Sequence, residues 1–367
     1  MKPARNMFAC CTILLSSPLA AQSVSVTVQP AQPSLERSHC CILINLDFEL
    51  RTQGTDTLAL EAIQAVLFDS RGKQVGVRRA DRSGTGSGVV ALRPASAMPG
   101  RVTTVATPFP SIDNVTPIAS IQYTLKFRGP QGTFESVATV SPVTYVTKTD
   151  LVVPVEGRII VQPGREAGTS RSGMDRAVAQ ELNGVRRQFN RYAYDFMVSD
   201  STGALNRTGG ASAADWYGFG ATVVAPAAGV VRVAENNESD HTVPAAAGSP
   251  ASTTTEASLI PGNYIVIDHE NGECSLLAHL KRGSQSVQAG DRVTRGQRIA
   301  EVGLSGDSRT VPHLHYQLMD SCDFRDAEGL PSRFSAFVRL SRPNDGMAVK
   351  AHVEAGEVLA VKPYFKR

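Results

Sequence analysis

Hydrophobic and polar residues alternate along short segments in the first part of the chain. Residues 44–50 read Ile-Asn-Leu-Asp-Phe-Glu-Leu, and residues 123–128 read Tyr-Thr-Leu-Lys-Phe-Arg. A period of two predicts strands with one face buried and the other in water. Turn signals such as Arg71-Gly72 and Ser83-Gly84 separate such segments. We therefore predict an immunoglobulin-like β-sandwich over residues 22–147.

The remainder of the chain, residues 148–367, is predicted to form a second domain that also consists of strands. Residues 223–233, 263–268 and 274–280 are largely apolar runs, and the first two are rich in β-branched side chains, which is typical of strands. Residues 241–258 contain mainly Ala, Ser, Thr, Gly and Pro. Such a composition buries little surface and predicts an exposed loop. The predicted fold class is mostly β, in two domains.

Composition agrees with this picture and excludes one class of partner. The chain has 367 residues, 42% of them hydrophobic, with 31 Gly, 21 Pro and a net charge of +3. Many turn-forming residues favour β-structure over long helical bundles. The small net charge, without a long basic run or an aromatic array, argues against a nucleic-acid partner.

The first 21 residues resemble a secretory signal peptide. Lys2 and Arg5 give a positive start, residues 7–19 are largely apolar, and Leu19-Ala20-Ala21 offers a small-residue cleavage site. We expect export to the periplasm or the extracellular space. No other segment approaches the length of a transmembrane span, so none is expected after the signal is removed.

Four of the six cysteines remain once the signal is removed. Cys274 and Cys322 lie in the same predicted domain, and we expect them to form a disulfide in an oxidising compartment. Cys40 and Cys41 are adjacent, and neighbouring cysteines bridge each other only with strain. The sequence leaves open whether these two are buried and free or joined elsewhere.

The strongest chemical signal is Pro312-His313-Leu314-His315. On a strand, His313 and His315 project from the same face. An ordered series of further motifs accompanies this pair: Gly262-Asn263 to Asp268-His269, Ala278-His279-Leu280, Gly290-Asp291, Gly296-Gln297 and Gly303-Leu304-Ser305-Gly306. Over about residues 150–340 this series resembles the LytM-type zinc peptidases of family M23, which implies an antiparallel β-sheet domain.

The resemblance also implies site residues and a cofactor. The zinc ligands would include Asp195 and His315, while His279 and His313 would flank the metal-bound water and the scissile carbonyl. Three protein ligands leave one position open for water, whose pKa the metal lowers. The histidines would move protons and stabilise the developing oxyanion.

One position departs from the family pattern. The first motif of the family is His-x-x-x-Asp, but Arg191 stands where the histidine is required. A guanidinium is protonated and has no lone pair to give a metal, so zinc binding is expected to be weak or absent unless another residue replaces it. Residues 151–194 contain no histidine. Three carboxylates could supply an oxygen ligand instead: Glu166, Asp175 and Glu181.

The other histidines have weaker cases. His241 lies in the predicted polar loop and is a minor candidate for completing the site. His269 is expected to be a turn or strand-end residue outside the metal site. His39 belongs to the first domain and His352 lies beyond the motif series.

Two functions follow from the resemblance, and a third is weaker. The first is an exported zinc metalloendopeptidase that cuts peptidoglycan peptides, with the first domain positioning it on the cell wall or a partner. The second is an inactive relative that binds cell-wall peptide or regulates another hydrolase, in which case another envelope protein is the partner. The third is a general exported adhesion or assembly protein.

Overall fold

The structure is a computed structural model that describes most of the chain. It covers residues 23–37, 41–109, 111–113, 115–164, 180–182, 185–187, 190–241, 261–306, 308, 311–341, 346–348 and 350–361. The predicted signal peptide, His39, Cys40 and nearly all of the predicted loop at 241–258 lie outside these residues. The buried apolar residues form one core between Val24 and Val140, a second between Leu151 and Val361, and a smaller third cluster around Leu276 in the latter part of the chain. The two parts are described below as the first and second domains.

The first domain consists of thirteen strands among the described residues. In chain order, β1 to β13 span Val24–Gln29, Ser34–Arg37, Cys41–Ile44, Asp47–Thr52, Leu58–Phe68, Gln74–Asp81, Val89–Ala91, Ser96–Ala97, Thr103–Ala106, Ser111–Asp113, Ser120–Gly129, Gly132–Val140 and Val143–Thr144. They form three sheets, in the orders β1-β4-β9, β10-β3-β2-β13 and β12-β11-β5-β6-β7, with β8 beside β5. The sheets pack on one apolar core; that they form an immunoglobulin-like sandwich remains a prediction.

The predicted strand at 44–50 differs from expectation in one respect. The chain leaves β3 at Ile44 and enters β4 at Asp47, so two strands replace one. Asn45, Asp47 and Glu49 were expected to face water, but all three are buried. Their alternation with apolar residues holds, and Asn45 and Asp47 contact Arg191 of the other domain. A period of two in the sequence shows that polar and apolar residues alternate, but it does not show what covers the polar face.

The second domain contains strands β14 to β29. In chain order these span Leu151–Val152, Gly157–Gly164, Gln180–Leu182, Val185–Arg187, Ala193–Ser199, Thr222–Val224, Gly229–Glu235, Asn263–Asp268, Cys274–Leu280, Arg292–Val293, Arg298–Glu301, Leu314–Met319, Gly329–Leu330, Phe334–Ser335, Phe337–Arg339 and Val358–Val361. The main sheet runs β23-β20-β21-β22-β25-β18-β15-β29-β28, with β26 beside β25. Every strand pair in this sheet is antiparallel, as predicted.

The run at 223–233, predicted as one strand, is two. β19 ends at Val224 and β20 begins at Gly229. Pro226 lies between them and lacks the N–H that a central strand needs. A Cβ at Gly229 would lie 2.4 Å from the carbonyl oxygen of Asp268, so this close approach of two backbones requires glycine.

The predicted disulfide between Cys274 and Cys322 is present, with the two Cα atoms 5.2 Å apart. It joins the start of β22 to the loop after β25. Cys41 is also disulfide-bonded, which excludes a free thiol at that position. No helix among the described residues is long and apolar enough to span a bilayer.

The segment that joins the domains is held in place. β13 pairs in parallel with β2 of the first domain. Glu273, fully buried at the base of β22, then accepts hydrogen bonds from Tyr145 Oη at 2.6 Å and from the backbone N–H groups of Lys148 and Thr149, each at 2.8 Å. A buried carboxylate is stable only with such partners. The connection therefore packs on the second domain instead of crossing solvent.

Acid should weaken this connection. Burial raises the pKa of Glu273, but the donors of Thr149, Tyr145 and Lys148 outweigh it and hold the pKa below its ordinary value of 4.5. A lowered folded-state pKa gives stability that is present above the unfolded value and lost as pH falls through the folded value. Between pH 6 and pH 3, the urea midpoint of wild type should therefore fall more than that of Glu273→Gln. Equal falls would contradict this contribution.

Candidate active site

Three neighbouring strands of the main sheet bring the predicted site residues together. β25 lies between β22 and β18, and His315 on β25 pairs directly with Asp195 on β18 and with Ala278 on β22. Directly opposed residues share one face of a sheet. His313 stands just before β25, two residues from His315, and therefore lies on that same face.

His279 reaches this face by breaking the strand alternation. As the residue after Ala278, it would point to the opposite face of a regular strand. Its φ of 62° lies in the left-handed region, and the register between β21 and β22 shifts at this point. A bulge of this kind redirects a side chain. The His279 ring lies 5.0 Å from that of His313 and 5.8 Å from that of His315, centroid to centroid.

Asp195 is the centre of the cluster. Its Oδ1 lies 2.9 Å from His315 Nδ1 and 3.6 Å from His313 Nε2. Burial raises the pKa of Asp195, but His313 and His315 outweigh it and bring the pKa from 3.8 to about 2. The neighbouring imidazoles and the hydrogen bond donated by His315 both favour the carboxylate form. Asp195 is therefore an anion at neutral pH.

Gln317 is a member of the site to which sequence reasoning gave no role. Its Oε1 lies 3.2 Å from His315 Nε2, and its side chain is fully buried. The side chains of Asp195, His315 and Gln317 form a continuous hydrogen-bonded chain. The rule that places His313 and His315 on one face extends to residue 317 and could have identified it.

Backbone carbonyls orient the two remaining histidines in the same way. His279 Nδ1 lies 3.1 Å from the oxygen of Ser305, and His313 Nδ1 lies 2.8 Å from the oxygen of Val311. A carbonyl accepts only, so Nδ1 carries the proton and Nε2 of each neutral ring carries the lone pair. Two imidazoles thus present acceptor nitrogens on the site.

A clamped loop supports His279. Gly262 approaches Ser305 so closely that a Cβ there would lie 2.5 Å from Ser305 Oγ, while Ser305 Oγ donates to the oxygen of Leu280 at 2.8 Å. The neighbouring Gly306 N–H donates to Glu238 at 2.9 Å. These contacts hold the Ser305 carbonyl toward the imidazole.

His241 belongs to the same support. Its Nε2 lies 2.9 Å from the oxygen of Gly306, so it contacts the loop instead of Asp195 or His315. His269, as expected, lies outside the cluster, with its ring nitrogens on Ala228 O and Ser275 Oγ.

Arg191 points away from the cluster. Its guanidinium donates to Asp47 Oδ2 at 2.8 Å, to Asn45 Oδ1 at 3.0 Å and, through Nε, to Glu328. The side chain is 1% exposed, and two of its partners belong to the first domain. Arg191, which stands at the first ligand position of the family motif, therefore contacts residues of both domains at their boundary.

The described residues do not fit a three-ligand zinc centre. Asp195 and His315 hold their donor atoms together, but no third histidine, cysteine, aspartate or glutamate donor of this site completes a group within 4.8 Å. Catalytic zinc usually has three protein ligands. Of the predicted substitutes, Glu166 and Asp175 lie outside the described residues, as does the side chain of Glu181.

Another group of three potential donors does meet this distance among the described residues: Asp268, Cys274 and Cys322. It is not a metal site, because the two sulfurs are joined to each other and thiolates are the form that binds metal.

Residues 212–327 match the family model of peptidase family M23. The second domain is of the M23 peptidase type. The matched span contains His279, His313 and His315 but begins after Arg191 and Asp195. The M23 type implies zinc dependence, which the altered first position puts in question. No curated protein matches the chain significantly.

Solved structures resemble the chain at a distance. The catalytic domain of lysostaphin from Staphylococcus simulans has 21% identity and a TM-score of 0.24, covering 40% of this chain and 78% of its own. A zinc-containing peptidase from Vibrio cholerae has 17% identity and a TM-score of 0.20, and the match covers 56% of this chain and 80% of that one. Csd3 from Helicobacter pylori has 13% identity and a TM-score of 0.23, and the match covers 78% of this chain and 71% of that one. Likenesses this distant say nothing about activity.

The backbone at His279 gives a testable consequence. Because a left-handed φ strains any residue with a Cβ, His279→Gly should be more stable than His279→Ala by roughly 0.5–1.5 kcal/mol in urea unfolding. Both variants lose the same imidazole, so their difference isolates the backbone.

The adjacent residue Ala278 supplies a control at which glycine should lower stability instead of raising it. Ala278 lies in regular strand, and Ala278→Gly should lower stability by roughly 1 kcal/mol. If His279→Gly were less stable than His279→Ala, the bulge would not carry this strain.

Proposed function

We propose that this protein engages the peptide part of peptidoglycan in the cell envelope and binds it without zinc-dependent hydrolysis. Binding would use the sheet face that carries His279, His313 and His315, called the groove below. The M23 type of the second domain supports peptidoglycan as the target. The observation that carries the second part is Arg191, whose side chain is buried among Asp47, Asn45 and Glu328.

The remaining side chains also suit a site without metal. His315 lies between Asp195 and Gln317, so a carboxylate and an amide oxygen occupy the two ring nitrogens. Loss of one of three ligands weakens zinc binding strongly, since each ligand replaces water of the ion. Two donors alone do not provide the three protein ligands that a catalytic zinc usually has.

The groove retains groups that recognise peptides. His279 and His313 present Nε2 lone pairs that accept hydrogen bonds from amide N–H groups, and Asp195 supplies negative charge beside them. Peptide recognition uses such convergent polar groups on a rigid frame. Export to the periplasm or the extracellular space is part of this proposal and is supported by the disulfide Cys274–Cys322.

The first test measures metal and binding on the same preparation. After dialysis against a weak chelator, elemental analysis should find zinc far below one atom per chain, since the described residues supply only two ligands. The protein should co-sediment with purified peptidoglycan and release no soluble peptides. His313→Ala should reduce co-sedimentation, while His269→Gln, outside the cluster, should not. Stoichiometric zinc together with peptide release would overturn the proposal.

A second candidate is the zinc endopeptidase itself. It is favoured by the two imidazoles whose Nδ1 atoms are held on backbone carbonyls and by the strained backbone of His279, since such strain concentrates at functional sites. This candidate requires a third ligand from outside the described side chains, such as Glu166, Asp175 or Glu181.

This candidate predicts separable effects of two substitutions. His315→Ala should remove both metal and hydrolysis, because His315 is a ligand. His279→Ala should abolish hydrolysis and leave the metal bound, because His279 acts on substrate. Hydrolysis retained in either variant would contradict the role given to that residue.

A further inference from the structure

We propose that Arg191 ties the two domains into one rigid body, so that the first domain is a fixed part of the frame of the site instead of a mobile targeting arm. The inference concerns the domain boundary and holds whether the groove cleaves its ligand or only binds it. It rests on three sets of contacts between the domains.

The first set is the Arg191 cluster. A buried cation is tolerated only when carboxylates and hydrogen-bond acceptors surround it. Burial lowers the pKa of Arg191, but Asp47 and Glu328 outweigh it and raise that pKa above its ordinary value, so the side chain stays charged. The planar fork of the guanidinium reaches Asp47 and Asn45 from the first domain and Glu328 from the second at once. Separating the domains would leave unpaired charges on both sides.

The second set flanks this cluster. Tyr192, the next residue, donates from its hydroxyl to the oxygen of Ser34 at 3.2 Å. Glu36, on the same strand β2, lies 2.7 Å from His352 Nδ1, and both side chains are buried. Strand β2 of the first domain therefore meets the second domain through polar contacts that exclude water.

The third set is the connecting segment. Tyr145, Lys148 and Thr149 all contact Glu273, and Thr147 Oγ1 donates to the oxygen of Pro331 at 3.0 Å. Domains that move relative to each other are joined by exposed, flexible linkers. Here successive residues of the connection bind the second domain.

The contacts of Arg191 with the first domain also affect the position of the site residue Asp195. Arg191 lies four residues before Asp195, and β18 begins between them at Ala193. Tyr192 has a φ of 65°, a strained conformation that persists only where the surroundings hold it. The contacts of Arg191 and Tyr192 with the first domain thus set where β18 begins, and with it the position of Asp195 against His315. Arg191 is a positioning residue that acts through Asp195.

The test is Arg191→Met in the full chain. Wild type should unfold in one calorimetric transition. The variant leaves Asp47 and Glu328 buried without a cation, and its Tm should fall by roughly 5–15 °C or split into two transitions. Amide hydrogen exchange should rise at residues 45–47 and 190–195 together. The matched control is Arg292→Met, which breaks the exposed pair with Glu270 and should change Tm by less than about 2 °C.

Two further measurements keep the proposal falsifiable. Asn45→Ala removes one neutral partner, and even if Arg191→Met fails to fold it should raise exchange on both sides of the boundary. The ring-nitrogen NMR signals of His315 should shift in Asn45→Ala, because Asp195 is displaced, but not in Arg292→Met. One transition with unchanged Tm in Arg191→Met, or exchange raised in one domain only, would overturn the inference.

Discussion

A guanidinium taken out of water must be surrounded by acceptors, and this requirement at Arg191 organises the molecule. Its side chain is among the largest fully buried ones in the described chain. Asp47, Asn45 and Glu328 satisfy it from two domains. The residue that would otherwise complete a metal site is thereby used to join the domains, and the same few contacts set both the domain arrangement and the ligand set of the groove.

The groove depends on regular structure for two of its histidines and on a local irregularity for the third. His313 and His315 share a face because strand alternation places them there. His279 joins them through a left-handed backbone and a bulge, held by the loop that carries Ser305. This construction brings the three histidines together with Asp195 and Gln317 on a sheet whose other face is apolar core.

Much of this was predictable from residues alone. The alternating segments predicted the β class, and the ordered glycine and histidine motifs predicted the M23 type. The expectation of an oxidising compartment predicted the Cys274–Cys322 disulfide. Gln317 was within reach of the same alternation rule but was given no role. The break at Pro226 was also readable, since proline lacks the donor of a central strand.

The sequence by itself determined which residues could do chemistry: it contained Asp195, His279, His313 and His315, and it lacked a histidine at 191. Only the tertiary structure decided where the arginine points and why the polar residues Asn45 and Asp47 are buried. The physical reason is that both depend on contacts between segments nearly 150 residues apart. Local periodicity carries no information about what covers a face.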